Sequence, residues 1–330
     1  GSAYTPSTSF LTTVGGTTGG ALSIYFLSGD SDIDLSNNST GGGGAGTLTL
    51  TGASTYTGNT SISANSPASP AVSSVILGVD NALPIGTGLI VGTKTGVGVP
   101  VMDLNGKNQQ LAYVADGANA TATKYLKIVN NSASSASVLT LGGAVSPGKA
   151  FSGYISDGAG TIALVKTGTN TQILSGSGAY SGGVTVNAGT LVANLYQGNA
   201  INLLAGSLQG SGIVGATNIA AGAILSPGNS PGTLTHASLT LTGGSIIEWQ
   251  VTDAAAAGTS KTASALVAGT AYDTLVVTGA LNLAGASAAS PVTIRVTSLA
   301  NPTDLTPGNV NNFDTSGLNH FKFAEVGSLT

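Results

Sequence analysis

The phrase GASTYTGNTSISA, Gly52 to Ala64, returns as GSGAYSGGVTVNA at Gly176 to Ala188, with Tyr180 aligned on Tyr56. Neither copy holds a charge or a catalytic residue type, so the repetition constrains fold rather than chemistry. Phrases recur in a chain where one structural unit stacks on copies of itself. In and around both copies the apolar residues alternate with small polar ones: TLTLT at Thr47 to Thr51, VTVNA at Val184 to Ala188, SLTLT at Ser238 to Thr242 and VTIRV at Val292 to Val296. That alternation places Leu48 and Leu50 on one face of a strand and Thr47, Thr49 and Thr51 on the other. A β-branched residue suits the pleated surface. Gly-containing turns follow these runs at short intervals. Strands so short and so punctuated close as a sandwich, a barrel or a solenoid, and the repetition selects a parallel β-solenoid. Coils of roughly 20–25 residues predict on the order of 13–15 of them.

Composition supports the same class. Glu occurs only at 248 and 325 and Lys plus Arg total 9, so the residues that cover helix surfaces are nearly absent. Hydrophobic residues are 41% and charged residues 7%, the reverse of a disordered chain. No apolar run approaches the ~18 residues of a membrane-spanning helix. The net charge of −4 comes without a basic stripe, which argues against a nucleic-acid partner. Cysteine is absent, which removes disulfides, thiol nucleophiles and thiolate metal sites together. Residues 1–43 read as an N-terminal segment, a cap or a donated strand, running into the glycines 41–44. Residues 44–300 read as the solenoid, and 301–330 as a C-terminal coil or cap.

GAGTLTLTGASTYTGNTSISAN, Gly44 to Asn65, resembles the autotransporter-associated β-strand repeat, also called the passenger-associated transport repeat. TGTNTQILSGSGAYSGGVTVNAGTLVAN, Thr167 to Asn194, resembles a second copy. VILGVDNALPIGTGLIV (Val75 to Val91) is similar to the segments that link such repeats, and ILSPGNSPGTLTHASLTLTGGS (Ile224 to Ser245) to their late-coil motif. The resemblance implies an elongated, right-handed parallel β-helix, extracellular or displayed on the outer surface of a Gram-negative-type bacterium. The family is defined by architecture and export, so it supplies no catalytic residues to carry over.

The residues that could carry chemistry are few. Asp30, Asp32 and Asp34 in GDSDIDLSNN share one face of a strand and are a calcium candidate, since hard oxygen ligands suit that ion. The alternative is a solvated acidic face. A polysaccharide-active enzyme needs acidic and basic groups gathered on one face. Asp80, Asp103, Asp116 and Asp157, with Lys94, Lys107, Lys124 and Lys127, are the residues that stacking could gather, and isolated surface charge is the plainer reading. His236 and His320 are the only candidate bases for a hydrolase, and neither lies in a nucleophile-elbow context. His236 is expected on a strand edge or turn. Tyr56 and Tyr180 hold equivalent repeat positions, where structural stacking is favoured over a ligand ladder. Trp249 is expected to close part of the core or an edge.

The chain therefore reads as a non-enzymatic structural β-solenoid with no catalytic residues and no cofactor beyond the calcium candidate. Its expected partners are further copies of itself, in fibres or a surface layer. The second reading is an adhesin that binds carbohydrate or a host surface, with 253–270 and 92–125 as candidate loops.

Overall fold

The computed structural model describes residues 21–24, 33–37, 46–64, 72–91, 99–117, 126–143, 148–194, 196–229, 231–252, 271–301, 306–309 and 323–329. Their regular structure is all β-strand, paired in parallel except where Thr293–Asn301 meets Thr306–Pro307 and at the single bridges Gly210 to Gly228 and Val251 to Tyr272. The chain is a parallel β-helix, as the alternation and the repeated phrase predict. It divides into two compact units, Gly1–Gly183 and Val184–Thr330.

Coils of the first unit have three sides. One holds Ala21–Ile24, Gly46–Leu50, Val72–Leu77, Val99–Asp103, Lys127–Asn130, Tyr154–Asp157 and Gly178–Ala179 in that order. A second holds Gln109–Leu111, Ala136–Leu141 and Thr161–Lys166. The third side holds Ile33–Asn37, Thr60–Ala64, Gly88–Val91 and Tyr113–Asp116 in one sheet, then Lys149–Phe151 and Thr171–Leu174 in another. Leu48 stands in register with Val75, Val75 with Met102, Met102 with Ile128 and Ile128 with Ile155. One full coil therefore carries the chain from Leu48 to Val75, and the next from Val75 to Met102. Val75, Met102, Ile128 and Ile155 are buried in this column. Each such side chain contributes about 1.5–3 kcal/mol by leaving water.

The second unit is built differently. Its strands belong to two sheets. Val184–Val186, Ile201–Leu203, Ile213–Ile219, Thr233–Leu241, Thr274–Asn282 and Ala324–Leu329 lie in one. Thr190–Ala193, Ser207–Gly210, Ile224–Pro227, Ile246–Val251 and Thr293–Asn301 lie in the other. Leu191 pairs with Leu208 and Leu208 with Leu225, so a coil here spans only Leu191 to Leu208, well short of the coil from Leu48 to Val75. The next coil, Leu208 to Leu225, fuses two strands into one. Ile213–Ile219 pairs with Tyr196–Gln197 through its first residues and with Ile201–Leu203 through its last. Register shifts against both of its neighbours, opposite His236 to Leu239 and from Val277 to Ala280, mark a bulge in Thr274–Asn282. Gly206 makes the tight corner: at φ 80°, a Cβ there would stand 2.3 Å from the Gly189 carbonyl oxygen. The uniform coil of roughly 20–25 residues expected from sequence thus resolves into a longer three-sided coil in the first unit and, from Leu191 to Leu225, a shorter two-sheet coil in the second.

Candidate functional site

The polar side chains of the first unit join one coil to the next. Asp103 accepts from the backbone N–H groups of Asn105 at 2.9 Å and Asn131 at 3.0 Å, and from Asn131 Nδ2 at 3.0 Å. Asp80 accepts from Asn108 N at 2.9 Å. Asp116 accepts from Ser152 N through both oxygens at 3.0 Å. Asp157 accepts from Ile162 N at 2.7 Å and Ser181 N at 2.8 Å. Stacking therefore does not gather these four carboxylates into one acid–base centre; each caps corner amides, and each reaches the following coil. Lys107 is half-buried and Lys127 is exposed; Lys94 and Lys124 lie outside the described residues. No group of three or more His, Cys, Asp or Glu suited to a metal occurs among the described residues.

Buried amides do the same inside the coil. Asn130 is fully buried; its Oδ1 accepts from Gly106 N at 2.8 Å and its Nδ2 donates to the Thr161 carbonyl at 3.0 Å. Gln109 exchanges two bonds with the Leu83 backbone, 3.0 Å to its N–H and 2.9 Å to its carbonyl. Gln172 does likewise with Val114, at 3.1 and 2.9 Å. A buried backbone group left without a partner costs about 1–3 kcal/mol, so these amides complete the accounting where the ladder is interrupted. Sequence reasoning missed them. The signal was present: Asp103, Asn130 and Asp157 recur at equal intervals along the chain, one coil apart.

Tyr56 and Tyr180 are both buried. The Tyr56 hydroxyl shares a 2.5 Å hydrogen bond with Thr60 Oγ1, which meets Thr87 Oγ1 at 2.9 Å. Burial pushes the phenol up to about 12 against these two hydroxyls. The Tyr180 ring lies against Gly178, where a Cβ would stand 2.6 Å from it. Both rings are core, closed to a ligand. Lys166 is also fully buried. It follows Leu111 and Leu141 in register, and its Nζ donates to the Thr167 carbonyl. Burial lowers it to about 8.

In the second unit, His236 sits mid-strand in the column Val214–His236–Val277, fully buried. The expectation of an edge or turn position fails because alternation in Thr233–Leu241 turns residue 236 inward. Its Nδ1 lies 2.9 Å from Thr217 Oγ1 and its Nε2 has no partner. Burial pushes it down to about 3, so it stays neutral and far from acid–base work at neutral pH. Asp273 is buried, accepting from Gly232 N and Gln250 N at 2.9 Å each. Burial raises it to about 7 against those two bonds, with a smaller push from the Glu248 charge. Trp249 closes this corner: its Nε1 donates to the Asp273 carbonyl, and its ring lies 5.7 Å from Tyr272 and 6.4 Å from Phe323. Asp30, Asp32, His320 and the loop 253–270 lie outside the described residues, as do 92–98 and 118–125 of the other loop; of Asp34 the backbone alone is described, paired with Ser61.

The passenger-associated-transport-repeat model matches residues 42–64 and 164–193. The chain carries two passenger-associated transport repeats. In the first repeat, Gly46–Leu50 and Thr60–Ala64 are strands of two different sheets, with buried Tyr56 between them. In the second, Thr171–Leu174 and Val184–Val186 flank Tyr180 in the same way, and they belong to two further sheets. The repeat therefore encodes strand, aromatic corner and strand. No curated protein matches the chain. No helix among the described residues is long and apolar enough to cross a membrane.

Proposed function

We propose that the chain is a non-enzymatic structural protein of a bacterial cell exterior, a stalk, matrix or filament element that assembles head to tail. The observation that carries this reading is the use of the polar side chains. Asp80, Asp103, Asp116, Asp157, Asn130, Gln109 and Gln172 all bond backbone groups of another coil or corner. They serve the stack, and the family of the two repeats is one of exported passengers. In the last strands of the second unit, Ile294, Val296 and Leu329 are left exposed, which suits addition of another coil. Negative-stain microscopy at rising protein concentration tests assembly. Particles that lengthen with concentration are expected; particles of one length at every concentration overturn it. Glycan-array binding without lengthening would favour the adhesin reading.

A further inference from the structure

The strand Thr293–Asn301 ends the second unit's column Leu191, Leu208, Leu225, Ile247, Ile294. The first four residues are buried, whereas Ile294 is 49% exposed and Val296, in register with buried Trp249, is 60% exposed. Arg295 stands between them, its guanidinium 3.7 Å from Glu248 of the preceding coil and half in solvent. Among the described residues, the outer edge of this strand is paired only from Ser298 onward, by Thr306–Pro307 and the Gly308 N–H. Residues 293–297 thus offer a short free edge carrying an apolar, basic, apolar sequence. The next coil of a β-helix would place there a parallel strand with apolar residues over 294 and 296 and an acidic residue over 295.

The chain contains such a strand. Ile33–Asn37 pairs with Thr60–Ala64 on one edge and, among the described residues, with nothing on the other. Ile33 and Leu35 are in register with the buried Thr60 and Ile62, and Asp34 lies between them. We infer that residues 33–36 of one copy add in parallel to residues 294–297 of a second copy. Ile33 then stands in register with Ile294, Asp34 with Arg295 and Leu35 with Val296. The contact continues an alternation already present, since Glu248 faces Arg295 one coil below. It sets the acidic Asp34 opposite a basic residue, and it orients assembly: the basic strand is near one end of the chain and the acidic strand near the other. It rests on the head-to-tail assembly proposed above.

The test is a charge exchange in the full chain, read by sedimentation velocity. Arg295→Glu gives two acidic strands, and Asp34→Arg gives two basic ones. Each variant alone is expected to need at least about tenfold more protein for half-assembly, because like charges then meet at every junction. An equimolar mixture of the two is expected to recover wild-type assembly, since each variant's strand then finds its opposite on the other. Val296→Asp, at an exposed position, weakens assembly without rescue by either partner. Circular dichroism melts of each variant matching wild type keep a folding defect apart from an assembly defect. Wild type that stays monomeric overturns the assembly reading itself. Wild type that assembles, with variants unaffected or a mixture that fails to recover, overturns this register and leaves assembly standing.

Discussion

The two units solve one problem in two ways. A stacked coil must close its corners without leaving backbone groups unpaired. The first unit uses the longer, three-sided coil and a set of carboxylate and amide side chains that bond the neighbouring coil. The second uses the shorter coil, fuses two strands into one long bent strand, and makes its corners with glycine. Long coils have corners that stray from the backbone ladder, and side chains must reach across. Short coils keep the corners on the ladder and need few of them. Among the second unit's buried polar side chains, Asp273 also caps the backbone N–H groups of Gly232 and Gln250, and it and His236 are titratable groups pushed far from their ordinary values.

That contrast can be broken by deletion. Leu225→Ala removes a fully buried rung of the second unit's column and should cost about 2–5 kcal/mol. Asn130→Ala should cost the first unit about 2–3 kcal/mol, because it strands the Gly106 N–H and the Thr161 carbonyl together. Hydrogen exchange followed by mass spectrometry should show each loss confined to its own unit. Faster exchange in both units from either change would show that the side-chain and glycine designs are not separable.

The pH response sharpens the same contrast. His236 is depressed from 6.5 to about 3, so its contribution is complete above pH 6.5 and is lost as pH falls toward 3. Asp273 is raised from 3.8 to about 7, so its contribution is complete below pH 3.8 and is lost as pH rises through 7. Between about pH 4 and pH 6.5 the two slopes oppose. His236→Val, which matches Val214 and Val277 beside it, should leave the Asp273 slope alone. The second unit of that variant should then gain stability on acidification from about pH 7 to about pH 4.5, by at most about 1.4 kcal/mol per pH unit. A melting temperature whose pH dependence is unchanged by the substitution would remove His236 from the account.

The smallest effect belongs to Lys166. It follows two leucines in register and is buried, so Lys166→Met should be neutral or raise first-unit stability by about 1 kcal/mol, measured by urea unfolding. A loss larger than that would mean that the Nζ bond to the Thr167 carbonyl closes a corner, as the amides do.

The sequence alone determined that the chain is all-β, that its strands alternate with period two, and that Gly52 to Ala64 and Gly176 to Ala188 are one structural phrase. Alternation and glycine spacing are local properties, and local sterics fix them. The same phrase nonetheless lands in different sheets, Gly46–Leu50 and Thr60–Ala64 in one case and Thr171–Leu174 and Val184–Val186 in the other. Only stacking decides that, because a strand is indifferent to which side of the coil it occupies until its neighbour fixes the register. Stacking also decided that Asp103 and Asp157 are corner caps rather than surface charge, and that His236 faces inward. The partners of those two carboxylates, Asn131 and Ser181, lie a whole coil further along the chain, a separation that no local pattern records.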